Sequence, residues 1–179
     1  MHVFAGARNG MYEFMDGKYV KFYNSDNSLI EAYNGKSYNY QLVTGIKCDD
    51  HGNVWILNSQ APTTSLIKLS NGEFTKYNLP DLMKLNDGGF NNKSNANLTS
   101  MMIDSQGLLW FTNSHWALPA FDKYNTENNS LKAYESFVNQ DGTTVETGGG
   151  IRCVVEDLDH NLWIAITPRG GAKPGGQSW

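Results

Sequence analysis

The side chains best equipped for chemistry in this chain are four histidines, two cysteines and a set of aspartates at even intervals. Asp49, His51 and Asn53, and again Asp157, Asp159 and Asn161, stand at the first three ligand offsets of an EF-hand calcium loop. Such a loop also needs Gly at its sixth position and a bidentate Glu at its twelfth. Val54 and Gln60 hold those places in the first stretch, Leu162 and Pro168 in the second, so hairpin turns account for the acids better than calcium does. His2, His51, His115 and His160 are scattered without metal-ligand spacing and read as surface histidines. No G-x-S-x-G, H-E-x-x-H or P-loop is present, so no activated nucleophile, zinc site or phosphate cradle is offered and no cofactor is implied. Cys48 and Cys153 lie in apolar runs rather than in a C-x-x-C; they read as small buried side chains, and spacing leaves a disulfide between them undecided.

The elements that would hold these residues emerge from an internal repeat. Ile46 to Ile56, Met101 to Phe111 and Val154 to Ile164 align without gaps, each with Asp six positions before Trp. Trp55, Trp110 and Trp163 follow one another at 55 and 53 residues, room for about four strands of five or six residues with their connections. That is one four-stranded propeller blade per repeat. The Asp opens a type I turn, its carboxylate reaching the backbone two residues on, and Gly52 or Gly107 three residues later takes the left-handed conformation that closes the hairpin. The third copy has His160 in that place, which predicts the loosest of the three turns. Asp49, Gly52, Trp55, Asp104, Gly107, Trp110, Asp157 and Trp163 are therefore structural residues, with each Trp expected between adjacent blades, where Trp110→Ala would destabilise strongly.

Alternating outer hairpins follow at Ser65 to Tyr77 and Ala120 to Tyr134, and a further partial repeat stands at the start, with Val3 to Ala7 in the place of the Trp strand. The expected organisation is all-β: a β-propeller segment of about three four-stranded antiparallel blades in an incomplete ring. It comprises a half-blade over 1–35, blades over 43–97 and 98–149, a half-blade over 150–166, and an irregular Gly/Pro-rich tail over 167–179. Residues 80–97 and 136–149 are expected to be surface loops. Equivalent loops of a propeller emerge on one face. The connections after the Trp strands bring Arg8, Gln60, His115, Trp116 and Arg169 there, a stacking plate with hydrogen-bonding groups suited to a sugar or peptide.

Composition agrees with short strands and tight turns: 12% aromatic, 18% charged, 18 glycines. A net charge of -4 without a basic cluster speaks against nucleic acid, and no run approaches the roughly 20 apolar residues of a membrane helix. Open blade edges would favour self-association.

The D-x-x-G-x-x-W-[IF] turn between a short apolar strand and an outer hairpin resembles the two-component regulator propeller repeat, from Val3 to about Ile166. The resemblance implies the periplasmic sensor portion of a bacterial hybrid histidine kinase, or a PorZ-type propeller protein of the type IX secretion machinery, which the stretch Val3 to Lys18 resembles more. Either implies a periplasmic or cell-surface, non-enzymatic recognition module for a glycan, peptide or protein. Asp104 to Thr112 is also similar to the repeat of streptogramin lyases, which use a metal and a catalytic His that find no counterpart here. A third reading is an inactive fragment of a larger propeller.

Overall fold

The structure, a computed structural model, describes residues 1–33, 40–63, 65–77, 98–113, 121–134, 136–138, 140–146 and 151–166. Fifteen antiparallel strands make up these residues: β1 (His2–Ala7), β2 (Gly10–Met15), β3 (Lys18–Tyr23), β4 (Val43–Cys48), β5 (Val54–Asn58), β6 (Leu66–Ser70), β7 (Glu73–Tyr77), β8 (Leu98–Ile103), β9 (Leu109–Asn113), β10 (Phe121–Asn125), β11 (Ser130–Tyr134), β12 (Ser136–Val138), β13 (Thr144–Glu146), β14 (Ile151–Glu156) and β15 (Leu162–Ile166). Neighbours in sequence are neighbours in each sheet. The sheets run β1-β2-β3, β4-β5-β6-β7, β8-β9-β10-β11 and β14-β15, with β12-β13 as a separate hairpin. The architecture is an open arc of propeller-type sheets without a closed ring.

Why the sheets stack is visible in the burial of β5 and β9, whose five residues are all buried. With both faces covered, these strands read as apolar runs rather than alternating ones. Three apolar layers result. Phe4, Met11 and Tyr23 of the first sheet meet Val54, Ile56, Ile67 and Leu69 of the second. Trp55, Leu57 and Leu66 of the second meet Leu98, Met101, Leu109, Phe111 and Tyr124 of the third. Met102, Trp110 and Phe121 of the third meet Ile151 and Val154 of the fourth.

Register makes the repeat finer than the motif alone. Trp55 pairs with Lys68, Trp110 with Lys123 and Phe4 with Glu13. Phe4 thus holds the Trp place in the first sheet, and the ammonium groups of Lys68 and Lys123 lie 5.6 and 5.5 Å from the centres of their Trp rings. At the first sheet the Lys place is taken by Glu13, which accepts a 2.7 Å hydrogen bond from the Tyr23 hydroxyl instead. That bond, with burial as the larger cause, pushes the Tyr23 phenol up to about 12.

Three expectations need correction. Residues 136–149 are not all loop: β12 and β13 pair around Asp141 and Gly142, and Phe137 stacks on Tyr134 with ring centres 5.6 Å apart, which gives the hairpin an apolar anchor. Cys48 and Cys153 are exposed free thiols, not buried side chains. Cys48 sits at the end of β4 beside the turn, and Cys153 pairs with Ala165 on the uncovered side of the last sheet. Trp163, finally, is 65% exposed rather than between sheets, because no described sheet follows its own. The loop expected over 80–97 and the tail over 167–179 lie outside the described residues.

Candidate functional site

The aspartate turns form one structural device. Asp49 and Asn53 close the β4-β5 hairpin through Asp49 N to Asn53 O and Gly52 N to Asp49 O, both 3.0 Å, with Gly52 at φ 78°. One carboxylate oxygen of Asp49 accepts from the backbone of His51 and Asn53; the other accepts from the Asn53 amide at 2.8 Å and the Trp55 indole N–H at 2.9 Å. Burial opposes ionisation of Asp49, and these donors overcome it, holding the carboxyl below its ordinary value. Asp104 binds the Trp110 indole at 2.7 Å, and Asp157 binds that of Trp163 at 2.7 Å. The six-residue interval between Asp and Trp is this hydrogen bond: it fixes the indole ring against the sheet. Asp157 is held down to about 2, by the Trp163 indole first and then the Asn161 backbone. The third turn keeps the same backbone pattern with His160 at φ 64°.

On the opposite ends of these strands lies the predicted rim. Arg8 follows β1 and Gln60 follows β5, and the start of the next sheet ties the two connections together: Gln41 N donates to Arg8 O at 2.9 Å, and Ser59 N donates to Leu42 O at 2.8 Å. The Arg8 guanidinium lies 3.9 Å over the ring of Tyr40, which in turn meets Tyr33 edge-on at 6.0 Å. Gln60 holds a left-handed backbone at φ 59°. His115, Trp116 and Arg169 lie outside the described residues; of the five predicted residues Arg8 and Gln60 are described, with Tyr40 under Arg8 and Tyr33 against Tyr40.

Sequence reasoning missed what anchors this rim. The buried Asn58 side chain accepts from Glu31 N at 2.6 Å and donates to Glu31 O at 3.1 Å, imitating a strand partner for the incoming chain. The carboxylate of Glu31 then accepts from Lys76 at 2.7 Å and from Thr63 N at 2.8 Å; against the opposing effect of burial, these bonds hold it below the usual carboxylate range. Asn113 is buried in the same place of the next sheet. The signal was available: both copies read Trp, two apolar or small residues, then Asn.

A cleft of ≈ 510 Å³ opens on the turn side, between the Asp49 and Asp104 turns, with Asp50, His51, Gln106 and Glu127 among its walls. Ser105 and Glu156 line it as well, the Glu156 carboxylate accepting from Ser105 N and Oγ, each at 2.6 Å.

Neither a family model nor a curated protein matches the chain. Among solved structures it is similar to PorZ, a bacterial surface component of the type IX secretion system of Porphyromonas gingivalis, with 21% identity and a TM-score of 0.74 over 92% of this chain and 22% of that one. It is also similar to the extracellular domains of two hybrid two-component systems of B. thetaiotaomicron. These are 18% and 17% identical, with a TM-score of 0.54 for each, over 92% of this chain and 19% and 17% of theirs. The chain spans about a fifth of the length of these proteins. These likenesses show the fold, that of a β-propeller segment.

Proposed function

We propose that this chain is part of a non-enzymatic, extracytoplasmic recognition propeller. Its rim, formed by the connections that follow β1, β5, β9 and β15 and carrying Arg8, Gln60, His115, Trp116 and Arg169, faces a glycan, peptide or protein. The observation that carries the reading is the Arg8–Tyr40 stack, 3.9 Å deep, on a rim pinned by a buried Asn58. A guanidinium held over an aromatic ring can still donate from its edge N–H groups and has less conformational freedom left to lose on binding. Tyr33 and Tyr40 add aromatic faces against which sugar C–H groups or a peptide side chain can pack. The extracytoplasmic location is supported by the extracellular domains and the surface component to which the fold is similar.

The test is titration of a panel of soluble oligosaccharides and short peptides into the isotope-labelled chain, read by amide NMR. Binding is expected to move resonances of Arg8, Tyr40 and Gln60, and Arg8→Ala or Tyr40→Ala to weaken it about tenfold, the order of a lost stacked or charge-assisted contact. Binding indifferent to both substitutions, or turnover of a substrate that requires rim residues, would overturn the reading. The neighbouring sequence separates the two parent types: a membrane span and kinase on one side of the alternative, a leader peptide without a kinase on the other.

A further inference from the structure

The Arg8–Tyr40 stack stands at the end of a series of contacts that begins on the outermost strand of the second sheet. On β7 the Lys76 ammonium meets the Glu31 carboxylate at 2.7 Å, the two side chains being 40% and 16% exposed. The same carboxylate accepts from Thr63 N at 2.8 Å and from the Thr63 hydroxyl. Glu31 therefore joins three parts of the chain that are distant in sequence: the segment arriving from the first sheet, the connection after β5, and β7. Its backbone is gripped by the Asn58 side chain through both N and O. Ile30, the residue before it, is sealed into the apolar layer between the first two sheets.

From Glu31 the order passes to the aromatic pair. Tyr33, two residues on, donates from its backbone N to Tyr40 O at 2.6 Å, and the two rings meet edge-on. Gln41 N donates to Arg8 O at 2.9 Å, and the Gln41 side chain accepts from Ser25 N at 2.6 Å. Tyr40 is thus held on one side through Tyr33 and on the other through Gln41, under the Arg8 guanidinium. The ion pair belongs to this boundary. Ile67 pairs with Lys76, and its counterpart Asp122 pairs with Ala133, so the third sheet repeats the buried Asn as Asn113 but has Ala in place of the ammonium.

We propose that Glu31 and Lys76 are positioning residues for the Arg8–Tyr40 stack, their ion pair holding the two tyrosines in the geometry that receives the guanidinium. The consequence for binding rests on the recognition reading given above: a site that is ordered for only part of the time binds more weakly in proportion to that fraction. An ion pair between partly exposed groups is also screened by salt, so the order of the stack becomes salt-dependent.

The test is amide hydrogen exchange of the full chain without ligand, read by NMR at Glu31, Tyr33 and Gln41, whose N–H groups make the bonds described, with the amides of β8 and β9 as reference. Lys76→Met is expected to exchange about threefold faster at those three amides, the effect of losing a partly exposed ion pair, and to leave β8 and β9 unchanged. Lys76→Arg should keep the parent rates. Raising sodium chloride from about 0.05 to about 0.5 M should speed the same amides in the parent but not in Lys76→Met, which has no pair left to screen. In Glu31→Ala the Arg8 side-chain protons should lose the ring-current shift that Tyr40 imposes. Equal rates in parent and Lys76→Met, or a parent indifferent to salt, overturn the proposal. Exchange that rises equally in β8 and β9 overturns it too, since the pair would then support only general stability. The recognition reading fails separately, if no oligosaccharide or peptide binds a chain whose exchange behaves as expected.

Discussion

Asp122 is the residue least at ease in this molecule. Its side chain is fully buried, and neither carboxylate oxygen has a hydrogen-bond partner among the described residues. It opposes Phe111 in the register, on the face turned toward the second sheet, where Ile67 stands in the preceding repeat. Burial without a partner pushes the carboxyl well above its ordinary value. The sign follows from that direction. An unfolded Asp ionises near pH 3.9, whereas the folded one resists, so stability falls as pH rises from about 4 toward the raised folded value. Asp122→Asn is expected to raise the melting stability at pH 8 by about 1–3 kcal/mol while changing little at pH 4. Equal effects at both pH values would show that the carboxyl carries no such penalty.

At the scale of elements, the hairpin turns decide register, and their chemistry is local. Asp supplies the carboxylate, the fourth residue supplies the left-handed backbone, and the Trp two strand positions on is tethered to the same acid. The third turn does this with His160 at φ 64°, a conformation a side chain enters at a cost. His160 also lies 3.1 Å from Glu156 through Nδ1, an exposed pair worth little. His160→Gly is therefore expected to stabilise the chain by about 0.5–1 kcal/mol in chemical denaturation, relief of backbone strain exceeding the lost contact. A destabilised variant would mean that the Glu156 contact, and through it the Ser105 clamp, outweighs the strain. The β12-β13 hairpin teaches a related lesson: Asp141-Gly142 marks a turn, and Phe137 converts that turn into an ordered element by stacking on Tyr134.

At the scale of the whole molecule, identical motifs carry different energies because their neighbours differ. Trp110 lies against Phe121 with ring centres 5.1 Å apart and is covered by the last sheet, whereas Trp163 has the same hydrogen bond and no cover. Trp110→Ala is expected to cost about 3–5 kcal/mol in denaturant unfolding, and Trp163→Ala well under about 1 kcal/mol in the monomer. Similar costs at both positions would show that the indole hydrogen bond, common to the two, dominates over burial. The arc depends on such layers because each sheet alone leaves one apolar face in water, as in other repeat architectures whose stability is a sum over neighbours.

The Asp-to-Trp interval, the turn glycines and the alternation of the outer hairpins were enough to specify an all-β arc of repeated sheets. These signals are local: a turn residue and a two-residue period act within one hairpin, so they survive in the order of residues. That Arg8 and Gln60 follow equivalent strands was also legible, since it depends only on the repeat spacing. What only the tertiary structure decided depends on contacts between residues far apart in the chain. Asn58 reaching back to Glu31, Tyr40 arriving under Arg8, Cys153 and Trp163 left uncovered, and Asp122 sealed in where its counterpart is Ile67 are all consequences of which sheet lies against which. Burial is a property of that packing, and no residue type or spacing encodes it alone.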